Sequence, residues 1–480
     1  MDTIQDSSKE QIQVNTRDVL SKKKSALTYQ TAIYHATWRW HFYAGLLVIP
    51  FLLMLSITGM VMLYDQQIQD YRYDGALNIS AQETVVSPSI QLEKVMQQHP
   101  QAQVKKFIQA HSADKANFVV IKEEGQTLHI AINPYTGELL AQIDRDDSWY
   151  ALANDIHGSL LLGDWGDRLI EAATGLIILL IFSGLFLWAS PKNAANIVWF
   201  PTRKLGKRVF YRQLHSSLGV YSILFLIFFT LSGLSWSGVW GSKLVQAWSS
   251  FPSEKRANNV QLSQQSLASL NQGVMEEMPW NLEQTTMPKS HQHTKASKTL
   301  LKLELDEIVR IAKNLNMQRY QIHMPASKEG VYTLTSNTMS GDIVDPRHDR
   351  TVHIDQYSGE VLVDIGFNDY SLLAKAMAAG IALHQGNVSG FNLAANTLLC
   401  FVFILICITA IKMWWLRRPK QRWSMSAPQK VALSQRWYVG LVAVVLVSVL
   451  FPLTGVVIVL FSVIDLLVAN KRIFMRRVVS

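Results

Sequence analysis

The sequence contains little charge and almost no cysteine. Only 17% of its 480 residues are charged, whereas 49% are apolar. The two cysteines, Cys400 and Cys407, lie two helical turns apart in one apolar run, too far apart to form a disulfide with each other. No further cysteine and no suitably spaced histidine accompanies them, so we interpret both as packing residues rather than metal ligands.

The apolar residues are gathered in blocks, which is unlike an ordinary soluble protein. Five runs are long enough for a helix to cross a bilayer, which takes about twenty apolar residues. The expected spans are residues 41–64, 168–190, 215–240, 391–416 and 437–465. They are separated by the segments 65–167, 191–214, 241–390 and 417–436, and flanked by 1–40 and a basic tail, 466–480. The expected fold is therefore a membrane α-helical bundle of about five transmembrane helices.

Basic side chains indicate which segments face the cytoplasm. The two short linkers between spans and the N-terminal segment carry many Lys and Arg residues. The N-terminal segment also lacks the apolar core of a cleaved signal peptide. We therefore expect these three segments in the cytoplasm and the two long segments, 65–167 and 241–390, on the outer face. The basic tail conflicts with a fifth span, unless Pro452 kinks that span so that it returns.

Several functional classes are disfavoured by what the sequence lacks. It has neither a G-x-x-x-x-G-K-[ST] loop nor a G-x-G-x-x-G fingerprint, so no nucleotide motor or dinucleotide site is expected. No charged residue lies at mid-membrane depth in the expected spans, where ion-coupled transporters usually place one. The net charge of +9 follows membrane topology, and no basic and aromatic motif indicates nucleic-acid binding.

Four histidines occupy duplicated positions near the ends of the expected spans. His41 and His215 open the first and third spans and are followed by the same residue types at the same offsets. These are Gly45 and Thr58-Gly59 after His41, and Gly219 and Ser232-Gly233 after His215. His157 and His384 precede the second and fourth spans, each with a glycine six residues later and a tryptophan thirty-one residues later. Such internal similarity indicates a duplicated helix-module-helix unit.

The duplication extends to the outward-facing segments. In the first, an N-cap and a proline at Ser87-Pro88 predict a helix, and apolar runs from Phe118 and Leu128 predict strands. In the second, a polar insert, 251–298, precedes an apolar stripe at helical spacing from Leu305 to Leu315 and further strands. Matching turns are Tyr135-Thr-Gly-Glu138 and Tyr357-Ser-Gly-Glu360. We therefore expect two α+β modules, with a flexible insert in the second.

The four duplicated histidines suit heme ligation. A neutral imidazole is a good axial ligand for heme iron, and two of them make a centre that passes electrons. The expected topology places His41 and His215 together on the cytoplasmic side, and His157 and His384 together on the outer side. A lone histidine at a membrane interface more often anchors a helix end, but the duplication favours ligation. We therefore predict two b-type hemes with these residues as iron ligands.

Small and basic residues near the first pair would help to hold such a group. Gly45 and Gly219 lie one turn from their histidines, where the missing side chain would leave room for a flat macrocycle. Arg39 and Arg212 would pair with the heme propionates.

The other histidines have plainer interpretations. His35 is either a rival ligand or an exposed residue before the first span. His291 and His293 would suit a metal ion, but they lie in the polar insert, where solvation is expected. His129 and His353 occupy equivalent strand positions in the two modules, which favours a role in folding.

Motifs spread over residues 35 to 470 resemble those of a known family. They are the His-x3-Gly openings, Arg212-Gln-Leu-His215, Leu383-His-Gln-Gly386, the two Tyr-[Ser/Thr]-Gly-Glu turns and Met413-Trp-Trp-Leu-Arg-Arg-Pro419. The chain resembles bacterial inner-membrane proteins with PepSY domains and PepSY-associated transmembrane helices, which include iron-regulated proteins and ferrioxamine-type siderophore reductases. The resemblance implies two periplasmic PepSY-like domains and, for some members, a heme-bearing reductase.

We therefore predict a di-heme oxidoreductase that takes electrons from quinol or a cytoplasmic reductase and reduces a ferric siderophore in the periplasm. One electron would release the metal, because hard oxygen chelators hold Fe(III) far better than Fe(II). Two alternatives stay open. One is a non-catalytic membrane scaffold whose periplasmic modules bind a peptide, a protease or a siderophore, and the other is a siderophore permease. Heme spectroscopy separates the scaffold from the reductase, and transport without an electron donor would identify the permease.

Overall fold

The computed structural model describes most of the chain and divides it into two units. The described residues are 2–73, 75–110, 112–190, 200–246, 260–271, 278–290, 301–418 and 438–463. The helical unit comprises Met1–Met54, Asp167–Leu234 and Phe401–Ser480, and the sheet unit comprises Leu55–Gly166 and Ser235–Cys400. His291, His293 and the basic tail, for which predictions were made above, lie outside the described residues.

Helices dominate the first unit and strands the second. The helices are α1 (Asp2–Leu63), α2 (Asp65–Arg72), α3 (Pro88–Gln98), α4 (Trp149–Ser159), α5 (Asp164–Ala189), α6 (Lys207–Leu234), α7 (Leu305–Asn314), α8 (Leu372–His384), α9 (Gly390–Arg417), α10 (Tyr438–Leu450) and α11 (Pro452–Val463). The strands are β1 (Gln103–Ile108), β2 (Asn117–Glu123), β3 (Gln126–Ile132), β4 (Leu139–Asp144), β5 (Leu262–Ser266), β6 (Thr286–Pro288), β7 (Gln321–His323), β8 (Val331–Ser336), β9 (Arg350–Asp355) and β10 (Val361–Gly366).

Within the described residues, four helices are long and apolar enough to cross a membrane. They are Ala32–Leu63 of α1, Asp164–Ala189, Lys207–Leu234 and Gly390–Arg417, and they correspond to the first four predicted spans. His41 and His215 therefore lie inside their helices rather than at the start. Lys, Arg and Gln are good helix formers, so the helices continue into the polar flanks that hydropathy leaves out.

The predicted fifth span, 437–465, is divided into two shorter apolar helices, α10 and α11. Pro452 begins the second of them. Proline has no N–H to continue the hydrogen-bond ladder of the preceding turn, which accounts for the break. α11 is attached to α5, because Thr454 Oγ1 donates a hydrogen bond of 3.1 Å to the Ala172 carbonyl. A fifth crossing of the membrane stays a prediction.

Both predicted modules contribute to one eight-stranded antiparallel sheet. Its strand order is β10-β9-β8-β7-β1-β2-β3-β4, so β1 of the first module pairs with β7 of the second. At this junction Phe107 stands opposite Ile322. The sequence predicted two modules but not their junction, because neither β1 nor β7 has a clear strand pattern. β7 has only three residues, and β1 carries two lysines among its six.

One face of the sheet carries the main hydrophobic core. α3 and α7 pack on it, as their predicted apolar stripes require, and Ile308 and Ala312 of α7 are fully buried there. The two helix N-termini exchange caps across the duplication. The backbone N–H of Ser89 donates to Asp306 Oδ1 at 2.9 Å, and the backbone N–H of Asp306 donates to Ser89 Oγ at 3.2 Å.

The opposite face carries a continuous row of buried side chains, all of them polar except Val120. From β3 to β9 the row consists of His129, Val120, Lys106, His323, Thr333 and His353, each directly across from the next. Lys106 Nζ donates to Gln321 Oε1 at 3.1 Å, and Thr333 Oγ1 lies 2.8 Å from His353 Nδ1. Burial lowers the pKa of His353 to about 4, and burial together with the positive charge of Lys106 holds the pKa of His129 and of His323 well below the usual value.

The two matching turns are built alike. Asn133 Oδ1 accepts a hydrogen bond of 2.9 Å from the backbone N–H of Tyr135, and Asp355 Oδ1 accepts one of the same length from Tyr357. The glycine of each turn has a positive φ, +69° at Gly137 and +76° at Gly359. These contacts confirm the predicted hairpin turns.

The polar insert is partly ordered. Its residues Leu262–Ser266 and Thr286–Pro288 pair as β5 and β6, and Leu267, Met278 and Leu282 are buried against β10 and α8. The prediction of a flexible insert is wrong for these residues. The apolar side chains, sparse in the sequence, are placed where they reach the core.

Candidate functional site

His41 of α1 and His215 of α6 face each other in the helical unit. Their ring centroids are 6.5 Å apart and their planes are inclined by 87°. Both rings are half-buried. The structure thus brings the predicted cytoplasmic pair together.

A hydroxyl group fixes the tautomer of His41. Its Nδ1 lies 2.9 Å from Ser183 Oγ of α5. That hydroxyl already donates its hydrogen to the Leu179 carbonyl at 2.7 Å, so it accepts the bond from the imidazole. Nδ1 therefore carries the proton, and Nε2 carries the lone pair that a metal would bind.

His215 has the same tautomer for a related reason. Its Nδ1 lies 3.1 Å from the Ile406 carbonyl and 3.1 Å from Thr409 Oγ1, both on α9. A carbonyl can only accept, so Nδ1 is the donor and Nε2 again carries the lone pair. Metal-binding histidines usually donate their second ring N–H to a fixed acceptor in this way.

The spacing of the two rings fits a single iron between them. Two imidazoles bound on opposite sides of one metal, through bonds of about 2 Å, have ring centres roughly 6 Å apart. The observed 6.5 Å is close to that value. Across the described residues no three His, Cys, Asp or Glu side chains form a metal-ion site. Two axial histidines suffice for a heme, because the porphyrin supplies the other ligands, so the residues present fit this group.

A hydroxyl residue followed by glycine recurs beside the histidines. At Ser183-Gly184, a Cβ added to the glycine would lie 3.1 Å from His41 Cε1. At Thr58-Gly59, Thr58 Oγ1 lies 2.8 Å from His157 Nδ1, and a Cβ on Gly59 would lie 3.6 Å from His157 Cε1. In each case the hydroxyl receives the imidazole N–H and the glycine leaves room for the ring. The sequence analysis did not identify Ser183-Gly184, although this pair has the same pattern of a hydroxyl residue followed by glycine as Thr58-Gly59.

His157 and His384 lie in the sheet unit, on the short helices α4 and α8. Burial lowers the pKa of His157 to about 4. Burial, together with the charge of His157, lowers the pKa of His384 to about 3, so the two rings interact electrostatically. Trp236 contacts His384 edge to face, with centroids 5.9 Å apart. Both imidazoles are therefore neutral at physiological pH, the form that binds metal.

The C-terminal end of α8 is held firmly, which fixes the position of His384. Asn396 Nδ2 of α9 donates to the carbonyls of Leu383 and His384, at 2.8 and 3.0 Å. Gly386 has a φ of +76°, and a Cβ there would come within 2.7 Å of Leu63. Glycine is required at this turn for both reasons.

The predicted glycines near the first pair differ in their surroundings. A Cβ on Gly219 would meet no atom within 4 Å, and one on Gly45 would meet only Leu180, at 3.9 Å. Neither position is crowded, and the predicted room for a macrocycle stays a prediction.

Three arginines of the helical unit concern the predicted pairing with heme propionates. Arg39 lies over the ring of Tyr43 at 5.0 Å, and Arg212 is exposed, so their pairing with propionates stays a prediction. Arg417 of α9, which sequence reasoning missed, is stacked on the rings of Trp38 and Phe42.

The remaining predicted residues have structural surroundings. His35 lies between Tyr34 and Trp38, at centroid distances of 5.8 and 6.1 Å. Cys400 and Cys407 are both buried and reduced, as expected of packing residues.

The family model for the PepSY-associated TM region matches residues 38–417. This chain belongs to that family. The matched region of this PepSY-associated TM protein contains all four duplicated histidines, whereas α10, α11 and the tail follow it. No curated protein matches the chain. The protein is therefore a membrane protein of the PepSY-associated TM family, and its described residues include four apolar helices able to cross a bilayer and a separate antiparallel sheet.

Proposed function

We propose that this PepSY-associated TM protein is a di-heme reductase of the bacterial inner membrane, which passes electrons across the membrane and reduces a ferric siderophore in the periplasm. The facing imidazoles of His41 and His215, with Nδ1 engaged and centroids 6.5 Å apart, carry this proposal. The hydrogen bond between Thr58 Oγ1 and His157 Nδ1, which parallels that of Ser183 and His41, supports a second heme at the pair on α4 and α8.

The protein side chains would hold and orient the cofactors. Heme b, when bound, would supply one-electron chemistry with quinol or a cytoplasmic reductase as the donor. Ser183 and Thr58 would keep His41 and His157 in the tautomer that presents Nε2. The neutral imidazoles of His41 and His215 would hold the heme iron, and a pair of such ligands would favour electron transfer over oxygen binding.

The reduction of the substrate requires only the transfer of one electron. One electron converts the Fe(III) of the chelate to Fe(II), and no bond to the protein forms or breaks. Oxygen chelators are hard ligands and bind Fe(II) much more weakly, so the metal is released. The sheet unit would lie in the periplasm, because the basic linkers favour the cytoplasm.

Heme content tests the cofactor part of the proposal. The full-length protein, purified in detergent, should show a Soret band and a dithionite-dependent α-band, with two hemes per chain by pyridine hemochromogen assay. His41→Ala and His215→Ala should each reduce this to one heme, and His157→Ala and His384→Ala should remove the other. His99→Ala is the control, since His99 pairs with Glu123 in the sheet unit. Wild-type protein without these bands would sink the heme proposal.

Iron release tests the reductase part. Anaerobic protein reduced with dithionite and freed of excess reductant should be reoxidised by ferrioxamine, with Fe(II) captured by ferrozine in proportion to heme. Reduced protein that stays reduced would leave the scaffold as the better description. Uptake of ferrioxamine into proteoliposomes without any electron donor would instead favour the permease.

A further inference from the structure

Arg417 has buried hydrogen-bond donors that no described residue satisfies. Its Nε and Nη2 atoms are inaccessible to water and have no partner among the described residues. Leaving a buried N–H donor unpaired is destabilising, and more so when the donor is charged. A cation held in this way indicates that an anionic acceptor belongs beside it.

Two aromatic rings hold the guanidinium in place. Its Cζ atom lies 5.3 Å from the centroid of Trp38 and 4.7 Å from that of Phe42. These residues are four apart on α1 and share one face, and Phe42 directly follows His41. The stacking therefore fixes Arg417 next to the inner histidine pair and leaves its edge N–H groups for another partner.

A second arginine increases the positive charge at this place. The charge of Arg208 acts on Arg417. Arg208 lies two turns before His215 on α6, hence on the same side of that helix. Like charges repel, and an anion bound between the two guanidinium groups would relieve that repulsion.

The linkers next to these arginines do not offer a carboxylate that could pair with Arg417. The linkers 191–214 and 417–436 contain many basic residues and neither Asp nor Glu. Arg417 lies two turns beyond Thr409, which receives the N–H of His215, and side chains on a helix tilt toward its N-terminus. The Cα–Cβ bond of Arg417 is thus tilted back along α9, in the direction of Thr409.

We propose that Arg417, assisted by Arg208, binds the propionate carboxylates of the heme held by His41 and His215. This inference rests on the proposed function and adds its anion-binding residues. A planar guanidinium suits a carboxylate because it offers two parallel N–H donors. The positive charge also stabilises an added electron on the iron.

The potential of the inner heme is the first test. In full-length protein, Arg417→Gln should lower its midpoint potential by about 60 mV, a tenfold change in a one-electron equilibrium constant. Arg417→Lys should recover part of this shift, and Arg208→Gln should give a smaller one. Arg418→Gln is the matched control, because Arg418 is the adjacent residue but is exposed and stacked on Trp415. The outer heme serves as the internal measure of folding.

Esterified heme gives the second test. Full-length apoprotein from a heme-deficient host is titrated with hemin and with hemin dimethyl ester, which lacks the carboxylates. Wild type should bind hemin about tenfold more tightly than the ester at the inner site, and Arg417→Gln should lose this preference. Equal binding by wild type, or an Arg417→Gln potential within the range of Arg418→Gln, would overturn the inference and favour a lipid phosphate as the acceptor. Two hemes with unchanged potentials would leave the proposed function intact, whereas protein without heme would remove both.

Discussion

At the scale of single residues, neighbouring hydroxyl groups influence the histidine tautomers, because they accept hydrogen bonds from the imidazole N–H groups. Ser183, Thr58 and Thr409 each donate to a carbonyl in the preceding turn of their own helix. Each is thereby left as an acceptor for an imidazole N–H. The intrahelical hydrogen bond of each hydroxyl thus favours the tautomer in which Nδ1 carries the proton, most strongly at Ser183 and Thr409, where it is 2.7 and 2.8 Å long.

Loss of the Ser183 hydroxyl should weaken heme binding at the inner site. Ser183→Ala removes the hydroxyl that accepts from His41 Nδ1, so the ring is held less firmly in its orientation and its preferred tautomer. Outer-shell partners of this kind contribute about 10–100-fold to affinity, and we expect hemin affinity at the inner site to fall within that range. Ser183→Thr should bind normally. Ser222→Ala is the control, because Ser222 makes the same bond to the Leu218 carbonyl without meeting a histidine.

Asp349 should make the sheet unit less stable as the pH rises. It is 4% exposed, and burial raises the pKa of its carboxyl from 3.8 to about 8. Between these values the unfolded chain releases a proton that the folded chain keeps, so stability is lost by about 1.4 kcal/mol per pH unit and the loss is complete above pH 8.

Asp349→Asn keeps an acceptor for the backbone N–H of Thr338 and cannot ionise. Its melting temperature relative to wild type should therefore rise steadily from pH 5 to pH 8, measured on detergent-solubilised protein. Glu83→Gln, at an exposed carboxylate, should show no such trend. A constant difference would contradict the raised pKa.

At the scale of elements, the sequence predicted what local patterns specify and missed what depends on distant pairing. The caps at Ser87-Pro88 and the stripe from Leu305 specify α3 and α7, and the Tyr-x-Gly-Glu turns specify two hairpins. β1 and β7 are stabilised by each other, so neither is recognisable alone. The facing of His41 and His215 was predicted from duplication, but Arg417 was not, because its partners Trp38 and Phe42 are far away in sequence.

The attachment of α11 to α5 should depend on Gly175. A Cβ there would collide with Thr454 Oγ1 and crowd Phe451, and Thr454 is fully buried with its hydroxyl bonded to α5. Small residues allow such close approach between apolar helices. Gly175→Ala should destabilise the helical unit by about 1–3 kcal/mol through overpacking.

A double-mutant cycle checks that this cost arises at the contact. Thr454→Ala removes the colliding oxygen, so Gly175→Ala should cost less in that background, by about 1 kcal/mol or more of coupling. Gly219→Ala is the control, since no atom lies within 4 Å of a Cβ at that position. Additive effects would place the strain elsewhere.

At the scale of the whole molecule, each histidine pair belongs to one unit. His41 and His215 lie in the helical unit, whereas His157 and His384 lie in the sheet unit. The two sites can therefore lose stability separately. This separation matters under acid conditions, because the buried row with His129, His323 and His353 belongs to the sheet unit alone.

The sheet unit should lose stability on acidification because of this row. An unfolded histidine titrates near pH 6.5, whereas burial lowers the pKa of His353 to about 4 and holds the pKa of His129 and of His323 well below the usual value. Below pH 6.5 the unfolded chain takes up protons that the folded sheet does not, so stability falls as the pH drops toward 4. Each histidine contributes about 1.4 kcal/mol per pH unit to the slope of the unfolding free energy, and the three together contribute at most about 4 kcal/mol per pH unit.

Hydrogen exchange of full-length protein, corrected for the intrinsic exchange rate, measures this slope at the amides of β1, β7 and β9 between pH 4.5 and 6.5. The triple variant His129→Gln, His323→Gln, His353→Gln should reduce the slope by up to that amount, whatever its stability at neutral pH. His348→Gln, at an exposed histidine, should leave the slope as in wild type. An unchanged slope in the triple variant would mean that these rings already carry protons in the folded sheet. In that case several positive charges would lie together in the buried row that contains Lys106. The register of the strands places these side chains at aligned positions, and burying like charges side by side is costly.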